Sequence, residues 1–142
     1  MKKGIFMKYL LVFLLSVSLQ ASDESWSIQK EASGYSIKSG SISYKLEEIN
    51  VVPKIIETKK YGSRFEAVVY FSNSVGTSVM IDEYYAALFD HKEKRFIGSY
   101  PYLYKPINPK HSVDDQPVWK FDGKTLNILE DELGINKSFQ VN

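Results

Sequence analysis

The sequence predicts an all-β protein, a single-domain antiparallel β-sandwich or barrel that follows a cleaved secretory signal. Three observations predict it. Apolar and polar residues alternate with period two along much of the chain, the pattern of strands with one buried face. The apolar runs are short and separated by turn-forming residues such as Asp122-Gly123. No long amphipathic helix can be drawn between them, which leaves sheet packed on sheet as the way to bury the apolar faces.

The signal is read at residues 1–21. Lys2, Lys3 and Lys8 make a positive start, and Tyr9 to Val17 is apolar apart from Ser16. A run of about nine residues, at ~1.5 Å each in a helix, covers less than half of a ~30 Å hydrocarbon core, so a signal is expected rather than a membrane span. Ser18-Leu19-Gln20-Ala21 supplies the small-residue cleavage region. The remainder, 22–142, is expected to be one β-rich domain, periplasmic or secreted and free of the membrane after cleavage.

Composition narrows what this domain can do. There is no cysteine, which excludes disulfides, a lipid-modified N-terminal cysteine, thiol nucleophiles and thiolate metal sites. Taking the three signal lysines from the 18 basic residues leaves 15 against 17 acidic ones, a net charge of −2. A mildly acidic chain without a basic block is a poor match for nucleic acid.

Ser22 to Ser33 is polar apart from Trp26, Ile28 and Ala32, and reads as a loose beginning. Ile42, Tyr44 and Leu46 alternate with Ser41, Ser43 and Lys45, a strand with one buried face. Val51 to Ile56 contains Pro53, which suits an edge strand or a bend. Phe65 to Phe71, rich in aromatic and β-branched residues, is expected to be the central strand. Val79 to Phe89 and Arg95 to Tyr100 follow, joined by the charged hairpin link Asp90 to Lys94. Asp122-Gly123 is expected to form a two-residue type I′ hairpin turn between Val118–Phe121 and Lys124–Ile128. Beyond it, Thr125 to Leu129 reads as a strand with one helical turn through Glu130 to Glu132, although the helical spacing of Leu126, Leu129 and Leu133 before Gly134 also admits a helix.

No catalytic group, metal site or cofactor motif is read. His91 lies in the charged hairpin link. His111 neighbours Ser112 and Asp114, but adjacent residues of one loop rarely form a triad. There is no G-x-S-x-G, no H-E-x-x-H and no calcium loop. The acidic pairs Asp82-Glu83 and Asp114-Asp115 and the run Glu130-Asp131-Glu132 read as solvated surface.

Two features suit a binding surface. Ser72, Asn73, Ser74, Gly76, Thr77 and Ser78 form a hydroxyl-rich link between the two strongest strands, able to project polar groups from a rigid sheet. Tyr100, Tyr102 and Tyr104 fall on one face of an extended segment, with Pro101 and Leu103 on the other. Such a row can fill a core or present rings to a sugar or a protein.

With these two features the chain resembles the periplasmic inhibitors of invertebrate-type lysozyme. In that family a middle strand runs into a Ser-Ala-Gly-Ser-Gly-x-Tyr-like loop, and here Ser74-Val75-Gly76-Thr77-Ser78-Val79-Met80 follows Ala67–Phe71. An aromatic-Pro-x-Tyr-x-Pro segment then corresponds to Tyr100-Pro101-Tyr102-Leu103-Tyr104-Lys105-Pro106, ahead of Trp119–Gly123. The chain departs from the pattern at Ser78 and Met80, where the family has Gly and Tyr, and at Lys60–Arg64, where it has an acidic glycine-rich turn. The resemblance spans roughly Ser41 to Leu129. It implies a small exported β-sandwich without enzymatic activity, whose loop enters the cleft of a lysozyme or other cell-wall hydrolase, with Tyr84 or Tyr85 in support. Substitution of Gly76 and Thr77 is then expected to weaken inhibition and leave stability nearly unchanged. One alternative is an envelope protein that binds glycan or peptide through the tyrosine row; another is an exported hydrolase, which would require His111 or an acidic pair to line a pocket. A second copy of the chain, making a homodimer, stays open as a partner.

Overall fold

The computed structural model describes residues 25–142; the signal read at 1–21 and the stretch 22–24 lie outside the described residues. Among the described residues ten strands run in chain order: β1 (Ser27–Glu31), β2 (Gly34–Ser39), β3 (Ile42–Leu46), β4 (Lys54–Tyr61), β5 (Phe65–Val75), β6 (Ile81–Asp90), β7 (Arg95–Pro106), β8 (Val118–Phe121), β9 (Thr125–Glu130) and β10 (Ile135–Gln140). They form three antiparallel sheets, ordered β1-β2-β3, β4-β5-β6-β7 and β10-β9-β8. Over the described residues the fold is all-β, as the alternation predicts.

The sheets stack in three layers. The four-stranded sheet lies in the middle, because β5 and β6 bury side chains on both faces. On one face Ala67, Val69, Ala86 and Leu88 pack against Leu126 and Ile128 of β9. On the other, Val68, Tyr70 and Ala87 pack against Ile37 of β2 and Leu46 of β3. Successive residues of a strand point to opposite faces, so a strand covered on both sides reads as an unbroken apolar run rather than an alternation. Phe65 to Phe71 is such a run, and Val68 and Val69 are both fully buried. Each such valine contributes about 1.5–3 kcal/mol of apolar burial.

Several boundaries differ from the sequence expectation, each for a local reason. The beginning is not loose from Ser27 onward. β1 pairs along its length with β2, and the Trp26 ring packs edge-on against Phe89 at 5.1 Å and Phe96 at 5.2 Å. β4 is an edge strand, as Pro53 suggests, but it starts after the proline and continues to Tyr61. Lys59 and Lys60 on this edge are exposed, a charge pattern that discourages pairing with a further strand.

The 118–128 hairpin forms one residue further along than expected. Asp122 N–H bonds to the Thr125 carbonyl at 3.3 Å, which leaves Gly123 and Lys124 at the tip. The Asp122 carboxylate sets this register by accepting the N–H groups of Lys124 and Thr125, both at 2.8 Å. No helical turn follows β9. The Glu130 carboxylate instead accepts the N–H groups of Glu132 and Leu133 at 3.0 and 2.9 Å. Gly134, at φ +66, then reverses the chain into β10.

Candidate functional site

The β5–β6 hairpin ends in a turn held at its base. β5 runs on to Val75, so Ser72, Asn73 and Ser74 belong to the strand rather than to a loop. The ladder shifts register between Phe71 and Asn73, which makes Ser72 the extra residue of a bulge. Ser72 is 2% exposed and donates its hydroxyl to the Glu83 carbonyl at 3.0 Å; it faces inward and contacts no solvent-borne partner. Asn50 clamps the strand from the side. Its N–H bonds to the Asn73 Oδ1 at 3.0 Å, its amide donates to the Ser74 carbonyl at 3.0 Å, and its Oδ1 accepts the Ser74 N–H at 2.9 Å.

Beyond this clamp Val75, Gly76, Thr77, Ser78 and Met80 are exposed. The far side of the turn is tied to β7 by Ile107 N–H bonding to the Met80 carbonyl at 3.0 Å. Gly76 adopts φ +115, and a Cβ there would lie 2.0 Å from the Val79 carbonyl oxygen. Only glycine fits such a backbone without strain. The expectation that a Gly76 substitution spares stability is therefore corrected; for Thr77, whose side chain is exposed, it stays an expectation.

The three tyrosines of β7 do not share a face. The β6–β7 register shifts between Tyr84 and Tyr85, leaving Tyr102 as a bulged residue. A bulge adds one residue to one strand and reverses the in–out order beyond it. Tyr100 and Tyr102 lie under the β8-β9-β10 sheet, Tyr100 against Phe139 at 6.0 Å and Tyr102 against Trp119 at 5.5 Å. Tyr104 faces the opposite side, across from Glu83. Tyr84 packs on Phe71 at 5.4 Å, toward the first core, while Tyr85 packs toward the second.

Below the turn, this end of the central sheet opens into a cleft of roughly 780 Å³. Glu83 and Tyr85 of β6 and Tyr104 of β7 form its floor. Asn73, Val75 and Val79 come from the hairpin, and the links after β3, β7 and β9 close the sides. Five carboxylates line it, from Glu48, Glu83, Asp114, Asp115 and Glu132, and among the described lining residues there is no lysine, arginine or histidine. Ser112 and Asp114 belong to this lining; His111 does not and is exposed.

Comparison with family models, with curated proteins and with solved structures finds no match for this chain. The site must therefore be read from its own chemistry.

The electrostatics of the cleft are those of several anions with no cation among the described lining residues. Burial raises the Glu83 carboxyl above the ordinary range, and Glu130 behind it adds to the rise. Asp115 beside Glu132 holds that carboxyl up as well, with a smaller contribution from Glu130. Burial, then the carboxylates Glu83, Glu130 and Glu48, raise Tyr85. Tyr104 is raised by burial first and then by Glu130.

Sequence reasoning picked out Tyr85 and Tyr104 but missed Glu48, Glu83, Asp114, Asp115 and Glu132 as a group. Nothing local in the sequence marks them; in the structure Glu48 is held at φ +54, a region that non-glycine residues adopt uncommonly.

Proposed function

We propose that this is an exported binding protein that docks another protein, most concretely a cell-wall hydrolase such as a lysozyme, and blocks it by inserting the β5–β6 turn. The observation that carries this reading is the build of the turn. Val75 and Met80 expose 38% and 39% of their surface at the tip of a strand pair whose base is fixed by the three Asn50 hydrogen bonds. Apolar and hydroxyl groups presented on a backbone that loses little entropy on docking are what an inserting loop needs. The likeness of Ser74–Met80 to the inhibitory loop of the lysozyme inhibitors supports the same reading.

The glycan-binding alternative gains less support, because Tyr100 and Tyr102 are covered by the third sheet. The test is inhibition of chicken-type, goose-type and invertebrate-type lysozymes by the chain from Ser22 onward. Saturable inhibition of one class near a one-to-one ratio, weakened by Thr77→Ala and by Met80→Ser, supports the reading. Failure to inhibit any class, or inhibition that both substitutions leave untouched, overturns it.

A further inference from the structure

The cleft contains more than a group of carboxylates. Tyr104 is 9% exposed, yet it lines the cavity, and its hydroxyl makes no hydrogen bond to any described residue. Its backbone needs are met separately: the Gln116 side chain accepts the Tyr104 N–H at 2.9 Å and donates to the Tyr104 carbonyl. That clamp fixes the strand edge and leaves the phenol free to serve the cavity. The ring is buried but the hydroxyl is not among the fully buried atoms, so it is the part of Tyr104 that opens to the cavity and can bond to a ligand there. The Glu83 carboxylate likewise has no hydrogen-bond or ion-pair partner among the described residues, although it is partly buried. Tyr85 brings a second phenol close enough to feel the Glu83 and Glu130 charges.

We propose that this cleft is a binding site for an alkylammonium ligand, a primary amine on an aliphatic stem, held between the Tyr85 and Tyr104 rings and the carboxylates of Glu83 and Glu132. The chemistry of the lining selects this class. Aromatic rings attract a cation through their negative faces, and carboxylates accept its N–H groups in charge-assisted bonds. The Tyr104 hydroxyl supplies one further acceptor. Among the described residues no three acidic or histidine side chains come together closely enough to hold a metal ion, so the negative charge is spread along the cavity. That spread matches an extended cation with more than one ammonium rather than a point charge. The same group reaches the cleft either on a free polyamine or as the lysine side chain of a polypeptide, and titration separates the two sources.

The proposal stands apart from the turn: it requires cleft residues and not Thr77 or Met80. The protein from Ser22 onward is titrated by calorimetry with putrescine, spermidine and a hexalysine peptide at fixed ionic strength. Saturable one-to-one binding of at least one of them is expected, tighter for the free polyamine or for the peptide according to the source. Glu83→Gln should weaken it about tenfold and Tyr104→Phe several-fold, the range of hydrogen bonds to charged groups. Glu93→Gln, at the opposite end of the sheet, should leave it unchanged.

Binding should weaken as pH falls. Glu83 is held above the ordinary carboxylate range by burial and Glu130, and Glu132 by Asp115, while Glu48, Asp114, Asp115, Tyr85 and Tyr104 complete the groups facing them. The loss should therefore begin above the ordinary carboxylate range. Glu83→Gln replaces a desolvated charge with a neutral isostere and should melt no lower than the parent, so lost binding cannot be ascribed to lost structure. No saturable binding of any of the three amines, or equal loss in Glu93→Gln and Glu83→Gln, overturns the proposal.

Discussion

The two ends of the central sheet each carry an acid that the fold takes partly out of water, Asp90 at one and Glu83 at the other, and treat it in opposite ways. At the β6–β7 hairpin, Asp90 is 2% exposed. Arg64 meets it with two nitrogens, at 2.9 and 3.2 Å, and the N–H groups of Lys92 and Glu93 complete its shell. Glu66 next to it accepts the Trp26 indole N–H at 3.2 Å and faces the His91 Nε2 at 3.0 Å. At the other end Glu83 is half-buried beside the exposed carboxylates of Glu48, Asp114, Asp115 and Glu132, with no cation among the described lining residues. A paired buried charge is a structural device. An unpaired one in a cavity marks a place where the fold leaves an interaction for a partner to complete. The smaller hollow beside Arg64, about 340 Å³, illustrates the contrast. Its guanidinium is already committed to Asp90 and to the carbonyls of Gln140 and Asn142.

Four predictions break or sharpen this contrast, from the largest effect to the smallest. Asp90→Ala removes the partner of Arg64 and the cap of two N–H groups, and should cost about 2 kcal/mol or more in urea denaturation. Gly76→Ala should cost about 1–3 kcal/mol through backbone strain and displace the turn, so its effect on partner inhibition must be read beside its stability.

The third prediction is a divergence with pH. Burial opposes ionisation of Asp90, but Arg64 and the two backbone N–H groups outweigh it and hold the carboxyl low. Its stabilisation is present above the unfolded-state pKa and is lost as pH falls through the depressed folded value. Glu83 has the opposite sign: its folded pKa is raised, so its cost is present above that value and is relieved as pH falls through it. The stability gap between Asp90→Asn and the parent should therefore close in acid from a destabilised mutant. The gap for Glu83→Gln should close from an equal or more stable one, and at a higher pH. Denaturation at a series of pH values checks both. Thr77→Ala, fourth, should change stability by less than about 0.5 kcal/mol and report only on docking.

Much of the fold was legible because strand patterning is local. Ile42, Tyr44 and Leu46 alternate as written, and Phe65 to Phe71 announces burial without its layer. The missed strands show where that reading weakens. In β2 the small polar residues Ser36 and Ser39 are buried at 1% and 5%, which blurs the alternation around Tyr35 and Ile37. In β10 Ile135 and Phe139 are spaced by four, a helical interval as much as a strand one. The candidate site was legible only in part. The exposed turn carries a local signature in its glycine and hydroxyl residues. The cleft carries none, because its carboxylates come from four separate stretches of chain, at Glu48, Glu83, Asp114-Asp115 and Glu132.

By itself the sequence determined an all-β chain without cysteine, its strongest strands and its hairpins, since alternation and turn chemistry act over a few neighbouring residues. The tertiary structure decided that a third sheet covers the second face of β5 and β6. It decided through one extra residue at Tyr102 that Tyr104 parts from Tyr100. It also decided that acids distant in sequence share one cavity. Bulges and layer stacking answer to packing across the whole molecule, and no local pattern of side chains encodes them.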